Sequence, residues 1–292
     1  MLTRVLLVVG VALAMAGGQA EMAYAKEKHK PTAPVEQVAP VQDAALDPHN
    51  ADDLQEILAQ ADAAAYPTDG SAPDYETAFR LYSLAEEVEN ATALNELGLM
   101  YDFGDFVAVD DEKAVQYYQR SADAGSIVAK NNLALMYQAG EGVTKDFEQA
   151  IYWFHQAADA GYGYSMYQLG SMYFDGRGVA KDSEEAVAWY QKAVDAGEPN
   201  AHWSLALSYL YGEGGVRKDT QKSAELAYYA LTHGVKVALE QLQRIGSADT
   251  SPNFRRSMQQ MLLQDGFYVG SIDGSFGPKT MAAVKAAFGT AQ

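Results

Sequence analysis

The chain has 292 residues, of which 39 are acidic and 21 basic, for a formal charge of −18 at pH 7. That balance repels phosphate backbones and anionic bilayers, which excludes nucleic acid as a partner and points to a basic protein surface instead. Cysteine is absent, so neither a disulfide nor a lipid-modified cysteine is available.

In chain order, Met1 to Arg4 is a short positive start, Val5 to Ala16 an apolar run, and Ala23-Tyr24-Ala25 a small-x-small cleavage site. This pattern predicts a secretory signal peptide over residues 1–25, with a cut after Ala20 as the other option. The run is short against the ~20 residues of a membrane span, so no membrane insertion is expected after cleavage. Export would place the mature chain across the inner membrane, in a periplasm. Residues 26–50 carry Pro31, Pro34 and Pro40, the cluster Lys26, Lys28, His29 and Lys30, and no helical stripe, which predicts a flexible linker. Within 51–73, Leu54, Ile57, Leu58 and Ala61 share one face and predict an N-terminal helix capping the stack that follows.

Residues 74–246 repeat. Ala114, Ala150 and Ala186 recur at a spacing of 36 residues, as do Leu133, Leu169 and Leu205. Asp74, Asp110, Asp146 and Asp182 keep the spacing, and Asp219 falls one residue late where Gly214-Gly215 replaces a single glycine. In the unit beginning at Asp146, the aspartate with Gln149 predicts a capping box. Ala150, Phe154, Ala157 and Ala158 then mark the buried face of a first helix, and Gly161 ends it. Ser165, Leu169 and Tyr173 mark a second helix, in which Gly170 answers to Gly98, Ala134 and Ala206. Only small residues occur there, which predicts a close helix crossing. A pair of helices this size cannot bury its apolar side alone, so stacking is obligatory. The first unit is degenerate: Val88-Glu89 stands for the usual Ala-Gly, and Gly104-Asp105-Phe106 for the usual G-x-G.

The A-x-x-x-L-G-x-x-Y second helix, the G-x-G-V loop, the aspartate cap and the A-x-x-W-[YF]-x-x-A-x-x-x-G first helix resemble the SEL-one-like repeat, a relative of the tetratricopeptide repeat. That resemblance implies an all-α fold, a right-handed α-solenoid of helix-turn-helix repeats. It also implies a scaffold for protein–protein contact.

After a joint at 247–252 the pattern changes. Met258, Met261 and Leu262 predict a short helix ended by Gly266, and Pro278 opens a second with Met281, Val284, Lys285 and Phe288 on one face. The order of Gln259, Gly266, Asp273, Gly274, Phe276, Gly277 and Thr280 resembles the peptidoglycan-binding domain family. The resemblance implies that these residues build the fold. It covers 253–292 as a truncated helical hairpin domain, because the family's third helix is missing after Phe288. The apolar side thus left open is expected to dock on the last repeat.

No zinc spacing, nucleophile elbow or cysteine nucleophile is present, so no catalytic, metal or cofactor residue is assigned. The carboxylate pairs Asp102/Asp105 and Asp110/Asp111 read as structural. Private residues of the Asp146 unit are better pointers to a binding surface, since shared residues are explained by packing. Tyr152 and His155 replace Gln116 and Gln119, and Tyr162 and Tyr164 replace Ser126 and Val128. Two readings follow: a non-enzymatic exported scaffold that holds an envelope protein, placed at peptidoglycan by its tail, or a periplasmic regulator that restrains a membrane sensor, with the tail only capping the solenoid.

Overall fold

The computed structural model describes residues 46–245, 250–268 and 270–288. The expected signal and most of the expected linker lie outside the described residues, as do residues 247–249 of the joint. The rest divides into two compact units that meet in sequence between Ala160 and Gly161. Among the described residues there are thirteen helices and no strand.

In the first unit α1 (Ala51–Ala65), α2 (Tyr75–Glu86), α3 (Ala91–Phe103), α4 (Asp111–Asp123), α5 (Ile127–Ala139) and α6 (Phe147–Asp159) each pack on the next. In the second, α7 (Gly163–Asp175), α8 (Ser183–Asp195), α9 (Pro199–Tyr211) and α10 (Thr220–Thr232) do the same, followed by α11 (Lys236–Ile245) and the hairpin of α12 (Pro252–Gln264) and α13 (Pro278–Phe288).

The aspartates start their helices as expected. The Asp146 carboxylate accepts from the N–H groups of Glu148 and Gln149 at 2.9 and 3.0 Å. The return half of a capping box is absent, because the Asp146 N–H donates to the Tyr137 carbonyl at 2.9 Å. Asp110, Asp182 and Asp219 donate in the same way to Tyr101, Tyr173 and Tyr209. Each aspartate therefore caps one helix and ties it to the last turn of the helix before. Gly104, Gly140, Gly176 and Gly212 end those preceding helices in the left-handed conformation.

The degenerate first repeat keeps the same backbone. Glu89, with φ of 52°, stands where later units place Gly125, Gly161 and Gly197, and Phe106, with φ of 67°, where they place Gly142 and Gly178. A left-handed residue with a Cβ costs roughly 1–2 kcal/mol. Arg120 offsets this at Glu89, donating from Nη2 at 2.6 Å to Glu89 and from Nη1 at 2.6 Å to Glu86. The Phe106 ring packs 5.6 Å from that of Phe79.

The close crossing is real. A Cβ on Gly98 would lie 2.7 Å from ring carbons of Tyr118, and one on Gly170 2.6 Å from those of Tyr190. Where Ala134 and Ala206 stand instead, the residues in register with those tyrosines are Phe154 and Ala227. Gly170→Ala is expected to lower stability by roughly 1–3 kcal/mol through overpacking, although alanine favours helix by about 1 kcal/mol. Urea unfolding checks this, and a gain in stability would show that Tyr190 has room to yield.

The tail is seated on the last repeat. Phe254, Met258 and Leu262 of α12 share one core with Ala227, Ala230 and Leu231 of α10. The Tyr228 hydroxyl donates to the Asp265 carboxylate, and its ring stands edge-on to Phe288 at 5.5 Å.

Candidate interaction surface

The four private residues fall in both units, two in each. Tyr152 and His155 lie on α6 of the first unit; Tyr152 is 52% exposed, with its ring edge-on to Trp153 at 5.1 Å, while His155 is half-buried. Tyr162 and Tyr164 lie at the start of α7 in the second unit, both half-buried.

The start of α7 breaks two local rules in succession. At the matching N-cap positions Asn90, Ser126 and Glu198 accept from N–H groups of their own helices at 3.0, 3.1 and 3.0 Å. Tyr162 occupies that position with no side-chain cap bond. The next residue is Gly163, where the other units have Ala91, Ile127 and Pro199. Both choices weaken a helix start.

The result is space. Tyr162, Gly163 and Tyr164 form one wall, and the turn Ala196, Gly197 and Glu198 the other, of a shallow pocket of about 170 Å³. A Cβ on Gly163 would stand 3.2 Å from the Glu198 Cβ and 3.3 Å from the Ala196 Cβ, so any larger side chain closes the gap. The Tyr164 hydroxyl accepts from Gln168 at 3.4 Å, and its ring lies 5.9 Å from that of Tyr167. Glu198 accepts from the backbone N–H and the side-chain amide of Asn200 at 3.0 and 2.7 Å. Burial, and then the Glu198 charge, push the Tyr162 phenol above its ordinary value, which keeps it neutral.

Sequence reasoning found Tyr162 and Tyr164 but missed Gly163 and Glu198. The available signal was the single glycine at a position held elsewhere by Ala, Ile and Pro. Tyr162→Ser is expected to restore the cap and stabilise α7 by about 1 kcal/mol, seen as a higher urea midpoint. No gain would mean that the first turn of α7 already has its acceptors.

In the tail three of the motif residues, Asp273, Gly274 and Thr280, hydrogen-bond with a fourth, Gln259. This side chain is fully buried, and its amide nitrogen lies 2.9 Å from both Asp273 Oδ1 and the Ser275 carbonyl, and 3.0 Å from Thr280 Oγ1. Its oxygen accepts from the Gly274 N–H at 2.9 Å. Phe276 is buried, and Gly266 and Gly274 are left-handed. Nothing in the structure explains Gly277, where a Cβ would meet only the Ser275 hydroxyl at 3.7 Å.

Among the described residues no group of three or more His, Asp or Glu side chains is placed to hold a metal ion, and no helix is long and apolar enough to cross a membrane.

Stacked two-helix units with a docked hairpin define a helical-repeat protein of the scaffold class. The Sel1 repeat pattern matches residues 58–87, 91–126, 127–162, 163–198 and 199–235, more than half of the chain, which therefore belongs to the Sel1 repeat family. The first match begins within α1, so the helix expected as a cap also carries repeat residues. A peptidoglycan binding domain matches residues 251–287.

Solved structures agree on the fold. A Sel1 repeat protein from Oxalobacter formigenes is similar at 25% identity and a TM-score of 0.58, over 82% of this chain and 100% of that one. A protective antigen of uropathogenic Escherichia coli with an SLR fold is similar at 24% identity and a TM-score of 0.59, over 80% of this chain. The match spans about half of that antigen, 53% of its length. An immunity protein from Pseudomonas aeruginosa is similar at 19% identity and a TM-score of 0.50, over 87% of each chain. Among curated proteins none matches.

Proposed function

We propose that the protein is an exported, non-enzymatic scaffold whose repeats hold another envelope protein while its tail keeps the complex at peptidoglycan. The observation that carries this reading is the presence, in one chain, of five Sel1 repeats and a peptidoglycan binding domain. The charge of −18 favours a partner with a basic surface. The apolar leader and its cleavage pattern support export to the periplasm.

Sedimentation with purified sacculi tests the wall role. Removing residues 249–292 would expose the core that α10 shares with the tail, so a gentler change is needed. Leu263 and Ile272 are exposed on the tail, and their joint replacement by serine spares that core. The full chain is expected to pellet with sacculi and the serine variant to stay in solution. A full chain that stays in solution removes the wall role and leaves the regulator reading, in which the tail only covers the last repeat. Crosslinking in cells then separates the two, since a wall synthase or hydrolase belongs to the first reading and a sensor kinase to the second.

A further inference from the structure

We propose that His202, Tyr229 and His233 form an acid-sensitive latch, which while neutral fastens α10, and with it the tail, to α9, and which loosens them on protonation. The proposal goes beyond the scaffold reading and does not depend on it. The centroid of the Tyr229 ring is 3.8 Å from that of each imidazole, and each pair of planes is tilted by 15°. Two rings stacked so closely cannot share one face, so the phenol is held between them. In register, the preceding units have Lys130 and Met166 for His202, Gln156 and Lys192 for Tyr229, and Ala160 and Ala196 for His233. Three departures that converge on one contact go beyond what stacking the repeat requires.

The Nδ1 of His202 lies 2.8 Å from the Glu198 carbonyl, and that of His233 2.8 Å from the Tyr229 carbonyl. A carbonyl only accepts, so each neutral ring carries its hydrogen on Nδ1 and takes a further proton at Nε2. The two rings differ in what a charge would meet. His233 is exposed at the C-terminal end of α10, where helix carbonyls and a phenol face suit a cation. His202 is 7% exposed near the positive end of α9, with His233 across the same phenol. Burial pushes the His202 imidazole below its ordinary value, the Glu198 carbonyl opposes this, and a charge on His233 adds to it. A base depressed in the folded state stabilises the fold fully above its unfolded value of about 6.5, and that contribution is lost as pH falls through the folded value. Other elements bring few charges to this junction: α8 packs Tyr190 on Ser204 of α9, α11 offers Gln241 to Trp203 and begins with Lys236, and α12 pairs Asp265 with Tyr228. Because α10 shares its core with Phe254, Met258 and Leu262, a loosened α10 loosens the tail as well.

The test is NMR of the full chain between about pH 7.5 and pH 5, a window in which imidazoles charge while ordinary carboxylates stay ionised. Amide hydrogen-exchange protection in α10 and α12 should fall roughly fivefold across it, the size expected for one charge at the wrong helix end. In His202→Met, which installs the residue of the preceding unit, that fall should disappear. Asp175 on α7 is also pushed up by burial, and any response of its own would survive in this variant. His233→Ala, which installs the residue of the other units, should raise the His202 titration midpoint by removing the facing charge, and it carries the test should His202→Met fail to fold. Imidazole nitrogen shifts should show the hydrogen on Nδ1 of both neutral rings. An undiminished fall in His202→Met, no fall in the parent chain, a His202 midpoint that His233→Ala leaves in place, or a hydrogen on Nε2 would each overturn the latch.

Discussion

Gly142→Ala is expected to destabilise the first unit by roughly 3 kcal/mol, the sum of a left-handed backbone and a clash that no rotamer relieves. Gly142 has φ of +66°, and a Cβ there would lie 2.1 Å from the Asp111 carbonyl oxygen and 2.8 Å from the Glu112 nitrogen. Both obstacles are backbone, so the loop or the start of α4 must move. Gly161→Ala is the control, since its φ of +93° carries the same conformational penalty with nothing within 4 Å of the new methyl. Its loss should be about 1 kcal/mol. Urea unfolding of both variants reads the difference, and equal small losses would mean that the loop lifts off Asp111 freely. A Cβ on Gly214 would meet the Ser183 carbonyl oxygen at 2.4 Å in the same manner. The second glycine of these two loops thus lets the loop lie directly on the first turn of the helix two elements back.

The stack was legible in the sequence because its parts are local. An aspartate cap, a left-handed glycine and a small residue at a crossing each act over a few residues, and each returns at the same spacing. Gly170 announced its crossing by alternating only with Gly98, Ala134 and Ala206, although not the tyrosine ring that demands it. What could not be read depends on contacts made far along the chain. Glu89 looked like decay of the pattern, yet it keeps the glycine conformation because Arg120, 31 residues on, holds its carboxylate. The Gln149 side chain was expected to cap the Asp146 N–H, but the Tyr137 carbonyl takes that N–H instead. The pocket shows the same limit. Tyr162 and Tyr164 stood out as private aromatics, whereas Glu198 passed for an ordinary cap and Gly163 for an ordinary glycine, and only the approach of two consecutive turns makes them neighbours.

Gln259→Leu is expected to cost roughly 2–4 kcal/mol, because the buried Gly274 N–H loses its acceptor while Ser275 and Thr280 lose a donor. Leucine fills a similar volume, so the loss reports polar groups and not a cavity. Since α12 shares its core with α10, the damage should spread into the last repeat. Hydrogen exchange would show faster opening in α10 as well as α12, and an effect confined to the tail would show that the hairpin folds on its own. The variant should also change the response to acid. The hydrogen bond from Gln259, followed by that from the Ser275 N–H, holds the Asp273 carboxyl below its ordinary value. A carboxyl depressed in the folded state stabilises the fold above its unfolded value of about 3.9, and that contribution fades as pH falls through the folded value. Leucine at 259 removes the larger of the two bonds, so between about pH 5 and pH 2 the variant should lose less stability than the parent chain. An identical acid response in both would mean that the Ser275 N–H alone fixes Asp273, and that Gln259 serves the fold through Gly274 instead.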